Sequence, residues 1–289
     1  MSLPIKIIAN QLNGGKTKIA GDISSQFLSA LLMTAPYAKS PVDIELLTEL
    51  NSKPYVDMTI EVMKDFGVEV EREDYSRFTI HSSNYLPITN YPIESDASAA
   101  SYFFAAPAIC GGTVRVENIS RKSKQGDIKF LDVLTQMGCV VEEKDNSILV
   151  TCHSSLTGID IDMRDIPDTA QTLAAIAPFA DSPTRIRGIA SARVKETDRV
   201  SATCKELQRL GVQVEEHQDG MTIYPTFNLQ PSTFNPATIQ TYNDHRMAMA
   251  FSLIGLRLNG VTIENPSCVS KTFPNYFEVL EQLRKQVNR

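Results

Sequence analysis

None of the five cysteines forms a C-x-x-C pair. Cys110, Cys139, Cys152, Cys204 and Cys268 are scattered and odd in number, which argues against a disulfide framework and for reduced packing residues in a cytosolic protein. Histidine is scarcer still: His81, His153, His217 and His245 lie far apart without ligand spacing, so no zinc site is expected. Apolar runs long enough to span a bilayer are missing, as is a charged-then-apolar N-terminal signal, so neither a membrane partner nor export is expected. Positive charge is also in deficit. A net charge of −6 argues against nucleic acid or an anionic membrane as partner. It leaves room for a locally cationic pocket and a small anionic ligand.

What is present is ordinary soluble-globular material, 42% hydrophobic and 21% charged. The 289 residues are too many for one small core, so two globes or one large one are expected.

A repeat runs through the chain. The stretches "GDISSQFLSALLMTAP", "SDASAASYFFAAPAI", "PDTAQTLAAIAPFA" and "NDHRMAMAFSLIGL" each place an aspartate and small or polar residues ahead of an apolar helix. Asp22, Asp96, Asp168 and Asp244 recur at steps of 74, 72 and 76 residues (96−22, 168−96, 244−168), and aspartate is a favoured helix N-cap. A second landmark keeps the beat: Lys53, Lys124, Lys195 and Lys271 each precede an amphipathic helix. Three of those helices stop at Gly67, Gly138 and Gly211, each followed by strand-like alternation. With further strands in "GGTVRVENI", "PTRIRGI" and "GVTIENP", the unit is helix–strand–loop–helix–strand. Its length of about seventy residues exceeds a solenoid repeat and suits globes built from a few α/β units.

Charge gathers at the front of these helices. In "VKETDR" (194–199), Lys195 and Arg199 are four apart and are expected on one helix face, with Val200, Cys204 and Leu207 as the apolar stripe. A solvated helix start is the plain alternative, but two cations there oppose the helix dipole unless an anion binds between them. Asp244, His245 and Arg246 stand at the mouth of an apolar helix, where burying charge is costly unless it is paired or in use. Ser24, Ser25 and Gln26 open another helix and read as caps or phosphate ligands. Ser52 with Tyr55 in "SKPY" carries the same ambiguity, Lys271 in "SKTFP" reads alone as a surface residue, and Asp168 occupies the repeat position of Asp244. Together they predict an anion-binding cleft between globes.

The stretches "SSQFLSALLMTAP", "DASAASYF", "QGDIKF", "IPDTAQTLA", "RVKETDR", "TYNDHRMAMAFSL" and "KTFPNYF", in this order from about residue 13 to 283, resemble the motifs of the 5-enolpyruvylshikimate-3-phosphate synthase (3-phosphoshikimate 1-carboxyvinyltransferase) family. "RVKETDR" with "NDHRMAM" is highly specific, and the related enolpyruvyl transferase of cell-wall synthesis lacks the pair. The resemblance implies an α/β (α+β) fold of two globes, each of three βαβαββ units, closing over the substrates. Four of six units are readable here. The chain is therefore expected to begin about a third of the way into the family pattern, with 1–95 a remnant of an incomplete N-terminal globe and 96–289 the C-terminal globe. No equivalent of the family's opening segment, with its substrate-binding Lys and Arg, Gly-containing loop and further Arg, is found in "MSLPIKIIANQLNGG".

The resemblance further implies that Ser24, Ser25 and Ser52 bind the phosphate of shikimate 3-phosphate, with Tyr55 nearby and Gln26 bridging the two substrates. Asp168 and Lys195 would hold the shikimate hydroxyls. Arg199, Arg246 and Lys271 would clamp phosphoenolpyruvate, with Asp244 and His245 beside them. Ser191 and Ala192 depart from the Asn and aromatic of many bacterial members, which implies altered contact with the ring. The implied reaction transfers the enolpyruvyl group to the 5-hydroxyl and releases phosphate, with Asp168 as base for the hydroxyl and Glu196 carrying the proton at the methylene carbon. No metal or organic cofactor is implied, and a cytoplasmic monomer is, with self-association through the incomplete globe as a risk. Turnover by this chain alone is expected to be low or absent. The other expectation is a non-catalytic remnant or interaction module that binds shikimate 3-phosphate weakly or not at all.

Overall fold

Period-two alternation builds the first sheet. Along β2 (Val42–Leu46), Val42 and Ile44 are buried while Asp43 and Glu45 lie on the opposite face. Ile44 sits opposite Phe78 of β4 (Arg77–Ile80), and Val42 opposite Ile80, so the two antiparallel strands present one apolar face. Helix α1 (Ser25–Thr34) covers that face with Leu28 and Leu32, and α2 (Lys53–Asp65) adds Val56 and Met63. With β1 (Gly15–Ile19) parallel to β2 and β3 (Val70–Glu73) hairpinned to β4, the sheet order is β1-β2-β4-β3. The computed structural model describes residues 4–6, 8, 10–153, 155–227 and 234–287. They form two compact units, Met1–Pro92 and Ile93–Arg289.

The second unit repeats the scheme. Strand β5 (Gly112–Glu117) follows α3 (Ala97–Cys110). It pairs with β7 (Ser147–Cys152), which is hairpinned to β6 (Val140–Lys144) after α4 (Phe130–Gln136). Next come β8 (Asp160–Asp162), α5 (Ala170–Ile176), β9 (Thr184–Arg187), α6 (Arg199–Arg209), β10 (Val214–His217) and β11 (Gly220–Ile223), in sheet order β8-β9-β11-β10. That is the order of the first sheet, with the same parallel pair and the same hairpin. The last repeat holds β12 (Ala237–Ile239) parallel to β13 (Val261–Ile263), with α7 (His245–Ile254) between them and α8 (Tyr276–Val287) following. Among the described residues, two βαβαββ units are thus complete, one begins at its helix and one ends before its hairpin.

The glycine stops work as expected, with one refinement. Gly67, Gly138 and Gly211 take left-handed φ of +81°, +102° and +87°. Their N–H groups donate to Lys64, Thr135 and Gln208, and the next N–H reaches back to Met63, Leu134 and Leu207. This is the double-bonded helix stop in which the following residue must be apolar and packed. Val68, Cys139 and Val212 are 1–3% exposed, so each strand starts one or two residues later than its alternation suggests.

Helices α3, α5 and α7 form the interior of the second unit. Ala100 to Ile109 of α3, all of α5, and all of α7 except Arg246 are buried. An apolar circumference is stable only under full burial, and abundant alanine lets these helices approach closely. Helix α6 is amphipathic, burying Val200, Cys204 and Leu207 as expected. Among the described residues, no helix is long and apolar enough to cross a membrane.

Candidate functional site

Helix α7 begins where the sequence expects it. Asp244 is the N-cap, its Oδ1 accepting from the Arg246 N–H at 2.9 Å. The other repeated aspartates divide. Asp96 caps α3 through the Ala99 N–H. Asp22 does not cap α1, because Ser24 takes that position, and Asp22 instead accepts from the Thr48 hydroxyl at 2.8 Å. Asp168 caps nothing: it lies in the 3-10 turn Pro167–Thr169, and its carboxylate is drawn to two guanidiniums.

Arg199 is the centre of the arrangement. Its side chain is 4% exposed. Its Nε donates to Asp244 Oδ2 at 2.8 Å, one terminal nitrogen to Asp168 at 3.0 Å and the other to Glu196 at 2.6 Å. Arg246 donates to the second oxygen of Asp168 at 2.8 Å, and the Lys271 ammonium to the second oxygen of Glu196. The expected shared helix face for Lys195 and Arg199 is not formed. Asp198 caps α6 by accepting from Ser201 N–H, so the helix starts at Arg199 and Lys195 precedes it. Lys195 still stands close enough to lower the Asp168 pKa, and has no ion-pair partner among the described residues. Ser191 and Ala192 are buried in the 3-10 turn Ala190–Val194 just upstream.

Burial pushes the Asp168 carboxyl up, but Arg246, Arg199 and Lys195 outweigh it and hold the pKa at about 2. Glu196 is likewise raised by burial and then lowered to about 2, chiefly by the hydrogen bond from Lys271 and the charge of Arg199. His245 goes the other way for a base: burial, then the adjacent Arg246, lower it to about 4, so its imidazole is neutral at pH 7. Its Nδ1 is buried without a hydrogen-bond partner. The cluster at neutral pH therefore holds four cations (Lys195, Arg199, Arg246, Lys271) and three carboxylates (Asp168, Glu196, Asp244). Breaking a buried ion pair by removing one partner is costly, and each of these carboxylates accepts from at least two donors.

One contributor escapes the sequence reading. Tyr102 of α3 is 1% exposed and its hydroxyl lies against Arg246, Arg199 and Asp168. Its ring packs edge-on to Tyr276 at 5.8 Å, and Phe103 packs on Phe273 at 5.9 Å. The segment that carries Lys271 is thereby fixed to α3. Tyr102 lies in "DASAASYF" and Tyr276 in "KTFPNYF", two of the stretches that carry the family resemblance.

The first unit gathers hydroxyls in place of charges. Ser24 accepts from Gln26 N–H at 3.3 Å, Ser25 is buried and Gln26 exposed. Ser52 precedes α2 in a left-handed conformation, φ +56°, costing about 1–3 kcal/mol for a non-glycine residue. Tyr55 follows on the first turn of α2, its N–H donating to Ser52 O at 3.1 Å. Asn51 ties the two helix starts together, donating from its backbone to Gly21 O and from its side chain to Asp22 O. Gly21 permits this contact: a Cβ there would stand 2.9 Å from Thr48 O.

The structure thus brings Asp168, Lys195, Glu196, Arg199, Asp244, His245, Arg246 and Lys271 together in the second unit, with Ser191 in the adjoining turn. Ser24, Ser25, Gln26, Ser52 and Tyr55 lie at the two tied helix starts of the first. Among the described residues, no group of three or more His, Cys, Asp or Glu is placed to hold a metal.

Repeated βαβαββ units, with cations and carboxylates of the third and fourth repeats meeting at one spot, define the chain as a repeat-built α/β protein. The chain belongs to the EPSP synthase (3-phosphoshikimate 1-carboxyvinyltransferase) family, whose pattern matches residues 1–280. It is 49% identical over 281 residues to the 3-phosphoshikimate 1-carboxyvinyltransferase of Sulfurovum sp. (strain NBC37-1), covering 97% of this chain and 64% of that protein. To the enzyme of that name from Shewanella denitrificans it is 49% identical over 284 residues, covering 98% and 65%. Its fold is similar to EPSP synthase from Acinetobacter baumannii, with a TM-score of 0.76 and 26% identity over 94% of this chain and 63% of that one. The chain spans about two thirds of the length of these relatives.

Proposed function

We propose that the chain serves enolpyruvyl transfer from phosphoenolpyruvate to the 5-hydroxyl of shikimate 3-phosphate, with release of phosphate, in the shikimate pathway to chorismate and the aromatic amino acids. The observation that carries this reading is the double pairing of Asp168 and Glu196 between cations of different repeats. These carboxylates occupy the donors that an anion would use. Phosphoenolpyruvate would draw Arg199, Arg246 and Lys271 to its own carboxylate and phosphate, where forked guanidinium donors bind best. Relieved of those cations, Asp168 and Glu196 would rise from about 2 toward values useful for proton transfer.

In this reading Asp168 takes the proton of the attacking hydroxyl. Glu196 gives and later recovers the proton at the methylene carbon, and Lys195 orients the shikimate hydroxyls. The cations stabilise the phosphate as it leaves. Neutral His245 keeps the helix mouth from gaining a further proton, and Ser191 faces the sugar-like ring. Ser24, Ser25 and Ser52 receive the 3-phosphate, beside Gln26 and Tyr55. The two units correspond to the family's two globes, and the same reading places the chain in the cytoplasm, using no metal or organic cofactor.

Calorimetric titration with each substrate, followed by a phosphate-release assay with both, tests it. Heat with shikimate 3-phosphate that is lost in Ser25→Ala, and heat with phosphoenolpyruvate that is lost in Arg199→Met, are expected. No heat with either substrate would sink the reading.

A further inference from the structure

We infer that Glu206 is a positioning residue that holds the loop ahead of Asp244 and thereby sets where Arg246 and His245 stand. Helix α6 carries Arg199 and Glu206 seven residues apart, so both project from the same face two turns apart. Arg199 grips the Asp244 carboxylate at one end of that face. At the other, Glu206, with no exposed surface, accepts from Gln240 N–H at 3.0 Å and from the Tyr242 hydroxyl at 2.8 Å, and forms an ion pair with Arg209 Nε at 3.3 Å. Arg209 also donates to Thr238 O of β12 at 3.4 Å, so the anchor reaches the strand that feeds the loop.

The loop has reason to need an anchor. Tyr242 and Asn243 are consecutive left-handed residues, φ +53° and +57°, and neither is glycine. Such a pair persists only where its surroundings over-determine it. The strain delivers the turn in which Asp244 N–H donates to Thr241 O at 2.8 Å and Asp244 becomes the cap. Without Glu206, Gln240 N–H and the Tyr242 hydroxyl lose their acceptor and the turn loses its reason to stay strained. Glu206 touches none of the residues assigned to substrate. It acts on them through backbone.

His245 reports on this without any turnover. Its imidazole is neutral because it is buried and beside Arg246, with Arg199 acting in the same direction and Asp244 and Glu196 opposing. A loosened loop hydrates it. Titration of His245 by NMR in the full chain is the test, comparing wild type, Glu206→Gln, Glu206→Ala and Leu134→Ala. Leu134 lies in α4 and is wholly buried, so its variant lowers stability away from the loop. The midpoint, about 4 in wild type, is expected to climb by about one unit or more toward 6.5 in Glu206→Ala, by less in Glu206→Gln, and not at all in Leu134→Ala. An unmoved midpoint in Glu206→Ala, or the same rise in Leu134→Ala, overturns the inference. If Glu206→Ala fails to fold, Tyr242→Phe, which removes one of the two hydrogen bonds, decides by the same criterion. The inference rests on the proposed reaction only for the roles of Arg246 and His245. Phosphoenolpyruvate calorimetry on wild type separates the two: absent heat with a moving His245 midpoint would reject the reaction and keep the anchor.

Discussion

Helices α1 and α7 open their repeats in the same way, yet one is half in solvent and the other inside. Phe27 and Met33 of α1 are 57% and 48% exposed, with Ile23 and Tyr37 exposed at its flanks, whereas α7 buries every residue but Arg246. The difference is in company. In the second unit α3, α5 and α7 come from three repeats and cover one another; within the first, among the described residues, α1 packs on its own sheet and α2. Their mouths differ in kind as well. At α7 buried charges are locked in pairs, whereas at α1 the Ser24 hydroxyl caps backbone and at α2 the charge pair at the start, Lys53 with Glu49, lies toward solvent. One pattern in the sequence therefore yields a cluster of paired charges in one unit and a hydroxyl-rich pair of helix starts in the other.

The sharpest way to break that contrast is Arg199→Ala. It takes a cation from three carboxylates; Asp168 keeps Arg246 and Glu196 keeps Lys271, but buried Asp244 loses its guanidinium, and the loss should cost about 3–5 kcal/mol. Hydrogen exchange should show peptides of 93–289 loosening while those of 1–92 keep their protection; equal loosening would deny that the network belongs to the second unit alone. Acid should act next. Asp168 and Glu196 have folded-state values of about 2, below their ordinary 3.8 and 4.5, so the stability they confer is full above pH 4.5 and lost as pH falls toward 2. That is on the order of 2 kcal/mol for Asp168 and about 3 kcal/mol for Glu196. His245 begins the decline earlier, because the unfolded chain takes up its proton near 6.5 and the folded one near 4. Urea midpoints across pH 7 to 3 would reveal this, and a flat profile would refute the cluster's electrostatics. Ser24→Ala removes a neutral cap and should cost about 1 kcal/mol, confined to the first unit. The smallest effect belongs to Phe27→Ser, within about 0.5 kcal/mol because the ring is exposed. Sedimentation should show it reducing any self-association of the chain, and a large loss of stability would mean that Phe27 is packed after all.

Much of the architecture could be read from spacing, because caps and stops are local. Gly67, Gly138 and Gly211 end helices through bonds to residues three and five back, so a window of six residues carries the signal. The same holds for Asp96 and Asp244 as caps. Asp168 and Asp22 defeated the pattern for a non-local reason: distant donors outbid the nearby helix amides. Lys195 and Arg199 read as helix partners because charge spacing alone does not reveal that Asp198 claims the start. Glu206 was invisible. Its neighbours in sequence suit a solvated helix, and only the arrival of Gln240 and Tyr242 makes a buried carboxylate tolerable there.

The count of charges at the mouth of α7 has a kinetic meaning. Four cations against three carboxylates leave a surplus of one on a chain whose net charge is −6. A metabolite anion approaching from a distance would feel little pull, and its association rate should change only slightly with ionic strength. Selectivity would then rest on the last few ångströms, where an incoming carboxylate or phosphate must displace aspartate and glutamate oxygens one bond at a time.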